Sequence, residues 1–185
     1  EWAGAGAECD PRAMPLTGIA NAAMDIVAPD VPRFAAALAR YAETDLTCYR
    51  ADGPQPLVAR QVAAWEPPLQ AVEARHHLLF RRTVGVVPVS QPEDTLARVP
   101  AILEALGPWR LAALQPVVAI SGSLVLGIAL SDGVIDAEAC FDAGNLDEDW
   151  QAEQLGADAD AAAQRTARRR TFLSAARFGL LLDGC

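Results

Sequence analysis

The sequence predicts a mainly all-α domain of about six to seven helices with one short extended segment. Three observations carry that expectation. The chain has 185 residues and 19.6 kDa, the size of one ordinary domain spanning 1–185. Hydrophobic residues make up 52% and charged ones 21%, which supports a folded core and rules out wholesale disorder. Only 6% are aromatic, so the core must come mainly from Ala, Leu and Val, and Ala is the strongest helix former.

The elements follow in order. Asp10-Pro11 places a capping residue before a proline suited to a first helical turn. Leu16 to Val27 is helical in composition despite Gly18. Pro29 and Pro32 separate it from a second helix, Phe34 to Ala42, and Thr44-Asp45 is a cap or turn pair. After the Asp52-Gly53-Pro54 turn, a helix is expected from Pro56 toward His77, with Val58, Val62, Trp65, Leu69 and Val72 at helical spacing. Pro67-Pro68 predicts a kink or break in it. Phe80 to Val89 reads as the extended segment, either hydrogen-bonded elsewhere or irregular.

Leu96, Val99, Leu103 and Leu106 mark the next amphipathic helix, ended by Gly107-Pro108. Leu111 to Leu130 is apolar almost all round. Gln115, Pro116, Ser121 and Ser123 interrupt it and no basic flank frames it, so a buried central helix is expected rather than a membrane span. Gly122 and Gly127 would let neighbours approach it closely. Asp136 starts a helix continuing through Leu146 and Trp150 to Gly156, and the last helix runs from Asp158 to Leu182.

The formal net charge is −9 and the pI about 4.6, which argues against a nucleic-acid or anionic-membrane surface. All 15 basic residues are Arg, so Schiff-base chemistry and a P-loop lysine are excluded. Cys9, Cys48, Cys140 and Cys185 lack the short spacings of a zinc site or disulfide framework and read as reduced thiols. The adjacent His76 and His77 lie about 100° apart on a helix and cannot hold one metal together as an i,i+4 pair does; they read as a solvated helix end. Gly122 to Gly127 lacks the Lys of a phosphate loop, and Ser123 lacks a nucleophile elbow. Cys48 has Arg50 near it in sequence, which leaves a cryptic hydrolase as the last-ranked reading. No catalytic residue, metal or cofactor is expected, and binding is the default class.

The informative charges lie near the C-terminus. Leu146 and Trp150 form a narrow apolar stripe flanked by Asp149 and Glu153, whose like charges at i,i+4 ask for compensation. If Gly156 turns the chain into an antiparallel hairpin, Asp149 meets Arg165, and Arg165 and Arg169 continue the stripe of Phe172, Ala176 and Leu180. Three readings follow: an internal ion-pair network, an acidic surface offered to a basic partner, or a solvated face.

Several segments resemble one family in its order along the chain: Pro15-Leu16-Thr17 with Ala20-Asn21-Ala22-Ala23-Met24-Asp25; Tyr41-Ala42-Glu43-Thr44-Asp45-Leu46-Thr47-Cys48-Tyr49-Arg50; Trp65-Glu66-Pro67-Pro68-Leu69; and Leu146-Asp147-Glu148-Asp149-Trp150-Gln151 ending at Gly156. The family comprises the assembly chaperones that bind the unassembled α subunit of F-type ATP synthase, in mitochondria and related bacteria. Two positions depart from its pattern. Leu155 stands where an aromatic residue is usual, and Arg75-His76-His77 stands where Arg-Tyr-Gly is.

The resemblance implies no enzymatic activity. It implies a monomeric chaperone that shields the β-facing surface of α, in the bacterial cytoplasm or the mitochondrial matrix of a eukaryote. It also implies a β-rich N-terminal domain, absent from this chain, ahead of Glu1-Trp2. The family's functional carboxylate falls at Asp147 or Glu148, and the partner-binding set is Asp147, Glu148, Asp149, Trp150, Gln151 and Glu153. The competing class is a helical small-molecule-binding or regulatory domain whose Leu111 to Leu130 helix lines an apolar cavity.

Overall fold

In the computed structural model, residues 1, 10, 13–156 and 159–182 are described. Cys9, Pro11, Asp158 and Cys185, on which some sequence expectations rest, lie outside them. Among the described residues nine α-helices appear, more than the six to seven expected, because two of the expected helices each divide in two. They are α1 Pro15–Ala22, α2 Val31–Ala39, α3 Gln55–His76, α4 Glu93–Glu104, α5 Gly107–Ser121, α6 Leu124–Ser131, α7 Ala137–Gly144, α8 Leu146–Leu155 and α9 Ala159–Leu181. A π-helical turn Ala23–Val27 and a 3-10 turn Ala28–Asp30 link α1 to α2. The all-α expectation holds.

The Glu1 carboxylate serves as the cap of α1, accepting the backbone N–H groups of Leu16 and Thr17 at 2.9 Å and the Thr17 hydroxyl at 2.8 Å. Such caps satisfy donors that a first turn leaves without a helical partner. Pro67 and Pro68 lie inside a continuous α3 rather than breaking it. The lost backbone bonds are local, whereas Trp65, Pro68, Leu69 and Val72 bury along the same helix and hold both halves against the core.

The expected central helix divides at Gly122, which adopts φ 66° as the end of α5. Ser123 then caps α6 by accepting the Leu126 N–H at 3.0 Å. Gly127 does serve close packing, since a Cβ there would sit 2.7 Å from Val118 Cγ2 and 2.9 Å from Leu114 Cδ1. Asp136 starts α7 as expected, but this helix ends at Gly144 and α8 begins anew at Leu146. A Cβ on Gly144 would meet Ser121 Cα at 2.9 Å, so α7 crosses the end of α5 backbone to backbone. The extended segment reduces to β2, Thr83–Val84, paired in parallel with β1, Tyr49–Arg50.

Helix α5 is the hub. It buries Leu111, Ala112, Ala113, Leu114, Val117, Val118 and Ser121 and touches α1, α2, α4, α6, α7 and α9. One buried cluster gathers Leu38, Leu69, Val72, Leu103 and Leu124 around it, and a second centres on Trp65, Leu126, Phe141 and Phe172. Phe141 and Phe172 meet edge-to-face at 5.3 Å, which fixes α9 against α7. On α9 Phe172 and Ala176 continue the apolar stripe as expected, but Leu180 is exposed at the rim. Among the described residues no helix is long and apolar enough to cross a membrane.

Candidate functional site

Asp147, Glu148 and Asp149 occupy the first turn of α8, where the helix dipole favours negative charge. Gly156, at φ 88°, ends α8. Arg165 then grips Asp149 with two hydrogen bonds, Nε to Oδ1 at 2.7 Å and Nη2 to Oδ2 at 2.6 Å. Arg168 pairs with Glu148 and holds its carboxyl below the ordinary range. Arg169 departs from the expected stripe, turning to Glu138 on α7. From α3, Arg60 binds both oxygens of Glu153 at 2.9 and 2.8 Å, and its guanidinium lies 4.8 Å from the Trp150 ring centroid. The internal-network reading is thus the observed one, and it compensates the repulsion between Asp149 and Glu153.

Asp147 differs from its neighbours. Its Oδ1 accepts from Gln61 Nε2 at 2.8 Å, and Gln61 is buried, with its own Oε1 accepting the Ala51 N–H at 2.8 Å. Gln151 is exposed, and its side chain has no hydrogen-bond partner among the described residues. Sequence reasoning missed Arg60 and Gln61. The signal for Gln61 was present, since it falls four residues before Trp65 on the stripe that Leu69 and Val72 continue, where Val62 had been expected. Val62 is exposed instead.

Between α3, α7, α8 and α9 opens a groove of about 910 Å³. Ala63, Ala64, Pro67, Val134, Ile135 and Leu146 give it an apolar floor, and Asp142, Asp149, Glu153, Arg60 and Arg165 line its rim. Pro67 and Pro68 have no N–H to return to the carbonyls of Ala63 and Ala64, so the groove wall also carries a gap in the helical ladder. Helix α8 buries no residue completely. It is held by Leu146 and by the polar contacts just named.

Two arrangements support this wall from behind. Arg50 donates to the Gln61 carbonyl at 2.8 Å and pairs with Glu66 at 2.9 Å, while Arg82 ties Glu66 to Glu73 at 2.8 and 2.6 Å. Trp65 lies under Arg50 and donates its Nε1–H to the Ala143 carbonyl at 2.8 Å, which joins α3 to α7. Burial raises the Glu66 carboxyl, but the bonds from Arg82, Gln70 and Arg50 outweigh it and hold the group below its ordinary value. The Thr-Asp-x-x-Cys-Tyr-Arg segment is therefore structural. Asp45 is wholly buried and accepts from Thr47 and Ser123 and from the Val125 N–H. Burial raises its carboxyl and these bonds oppose the shift.

Cys48 is fully buried, and burial followed by the Asp45 charge pushes its thiol up to about 12, so it is no nucleophile at neutral pH. His76 is not the solvated end expected, since its Nε2 lies 2.8 Å from Asp132 Oδ2. Beside the central α5 and α6, next to α9, the open space measures about 40 Å³. Ligand cavities run to about 300–1,000 Å³, so this particular space is too small to hold such a ligand.

The model of the family described as ATP12 chaperone protein matches residues 1–73. The crystal structure of Atp12 from Paracoccus denitrificans is 39% identical and superposes with a TM-score of 0.92, over 97% of this chain and 77% of that one. A mutant of the same Paracoccus protein gives 39% identity and a TM-score of 0.92 over 98% of this chain and 77% of its own. A protein of Agrobacterium tumefaciens is 34% identical, with a TM-score of 0.82 over 91% of this chain and 65% of that one. With its fold and sequence alike over nearly its whole length, the chain belongs to the ATP12 chaperone family.

Proposed function

We propose that this chain is an assembly chaperone that binds the unassembled α subunit of F-type ATP synthase and shields its β-facing surface. It would act as a monomer, in the bacterial cytoplasm or the mitochondrial matrix. The observation that carries the reading is the open apolar groove rimmed by the α8–α9 ion pairs. A free subunit exposes apolar surface destined for its neighbour, and such patches aggregate unless covered.

Trp150 is the proposed anchor, and Asp147, Glu148, Asp149, Gln151 and Glu153 the proposed contacts. Glu148 and Glu153 are half exposed in their ion pairs. Exposed pairs contribute only about 0–1 kcal/mol each, so exchanging an internal Arg for one from the client changes little. Affinity then comes from the apolar floor and Trp150, and the arriving β subunit can displace the chaperone by competition alone.

The test is co-expression of the α subunit with the wild type, with Glu148→Lys, and with Trp150→Ala. Soluble α should rise with the wild type and fall back with each variant. Equal recovery with and without every version would falsify the proposal. A parallel capture of purified α and β should retain α alone, whereas equal retention of both would mark a general holdase.

A further inference from the structure

Helix α9 carries five arginines between Arg165 and Arg177, and three of them turn inward to acids on α7 and α8: Arg165 to Asp149, Arg168 to Glu148 and Arg169 to Glu138. Arg170 and Arg177 do not. Both are exposed, and their guanidinium groups have no partner among the described residues. Seven residues apart, they lie about 10 Å apart along the axis on one side of the helix.

Around them Arg165, Thr166, Arg169, Leu173 and Ser174 complete a shallow concavity of about 450 Å³. No acidic side chain lines it. Its two hydroxyls are already committed, Thr166 donating to the Ala162 carbonyl at 2.9 Å and Ser174 to the Arg170 carbonyl at 2.8 Å. The cations are therefore the donors it offers. In a chain of net charge −9, the unpaired guanidinium groups of Arg170 and Arg177 stand beside half-buried Leu173 and favour an anionic partner.

We propose that this face of α9 is a second docking surface, which takes an acidic segment of the client, a stretch of Asp and Glu carboxylates spaced to reach Arg170 and Arg177. The inference rests on the client reading above, with the α subunit as client. The hairpin is then a two-sided reader: α8 and the groove meet apolar and basic surface, and the outer side of α9 meets carboxylates. A planar guanidinium binds a carboxylate with two parallel hydrogen bonds, so Arg here gives orientation as well as charge.

The experiment measures the affinity of this chain for purified unassembled α subunit across a range of salt concentrations. Four versions are compared: the wild type, the double variant Arg170→Glu with Arg177→Glu, the charge-keeping double variant Arg170→Lys with Arg177→Lys, and a control with Arg33→Glu on α2 and Arg40→Glu just after it. The control changes net charge by the same amount at exposed positions away from α9. Thermal midpoints should match the wild type for both α9 variants.

The Glu variant should bind α roughly tenfold more weakly and with a shallower salt dependence. The Lys variant, which keeps the charge but not the paired hydrogen bonds, should bind between the wild type and the Glu variant, and the Arg33/Arg40 control should bind as the wild type does. Unchanged binding by the Glu variant overturns the proposal, and so does an equal loss in the Arg33/Arg40 control. Failure of the wild type to bind α at all overturns the client reading itself.

Discussion

Asp45 reaches across 80 residues of sequence to the first turn of α6, where its Oδ2 accepts the backbone N–H of Val125 at 2.9 Å. Its other oxygen takes the Ser123 hydroxyl at 2.8 Å and the Thr47 hydroxyl at 2.7 Å. Replacing Asp45 by Ala strands these donors in the interior. A loss of about 3–5 kcal/mol is expected by urea unfolding. Asp45→Asn should cost less than Ala but still destabilise, because an amide group facing the Val125 N–H sets donor against donor. A loss below ~1 kcal/mol for Ala would refute this account of the motif.

Gly144→Ala places a methyl 2.6 Å from Ser121 Cβ and 2.9 Å from its Cα. Backbone cannot rotate aside as a long side chain can, so α7 must shift. Destabilisation of about 1–3 kcal/mol is expected, read as a lower thermal midpoint. An unchanged midpoint would mean that the crossing has slack.

Acid should weaken the fold through Glu66. Arg82, Gln70 and Arg50 hold its folded-state carboxyl below the ordinary 4.5, so the unfolded chain takes up its proton first as pH falls. The contribution is therefore complete above about 4.5 and is lost on acidification through the folded value. Stability measured from pH 7 to pH 3 should fall less steeply in Glu66→Gln than in the wild type. Parallel curves would remove Glu66 from the account.

Thiol labelling checks the two described cysteines. Burial pushes both Cys48 and Cys140 up to about 12. At pH 8 an alkylating reagent should leave them unmodified in the native protein and modify them in denaturant, as mass spectrometry of peptides would show. Rapid native labelling of Cys48 would revive a thiol-based activity.

Amide exchange should rank the helices. With no residue fully buried, α8 is expected to exchange by local opening, while α5 and α6 approach the global limit. Arg60→Ala removes the Glu153 pair and the contact with Trp150, so it should speed exchange in α8 and leave α5 unchanged. Uniform protection across α5 and α8 would contradict this ranking.

Much of the architecture was legible in local pattern, and the misses share a cause. The α8–α9 hairpin could be read because Gly156 and the 16-residue interval from Asp149 to Arg165 lie in one short stretch. The division at Gly122 was hidden inside an apolar run, since what makes Ser123 a helix start is partly Asp45, far away in sequence. The pairing of Thr83 with Tyr49 is equally non-local. Pro67-Pro68 misled for the opposite reason: the local rule was sound, but burial of Trp65 and Leu69 on either side outweighed it. At the candidate site, the pairing of Asp149 with Arg165 was legible from spacing. Arg60 was not, because nothing in its own helix marks it as the partner of a carboxylate 93 residues on.

The near absence of α8 from the interior has an evolutionary corollary. A helix that contributes almost nothing to the core is free to change its outward side chains without endangering the rest of the molecule. Recognition and foldability are thereby assigned to separate residues, so a chaperone built this way could follow a drifting client through successive substitutions at Glu148, Gln151 or Glu153 while its scaffold stays the same.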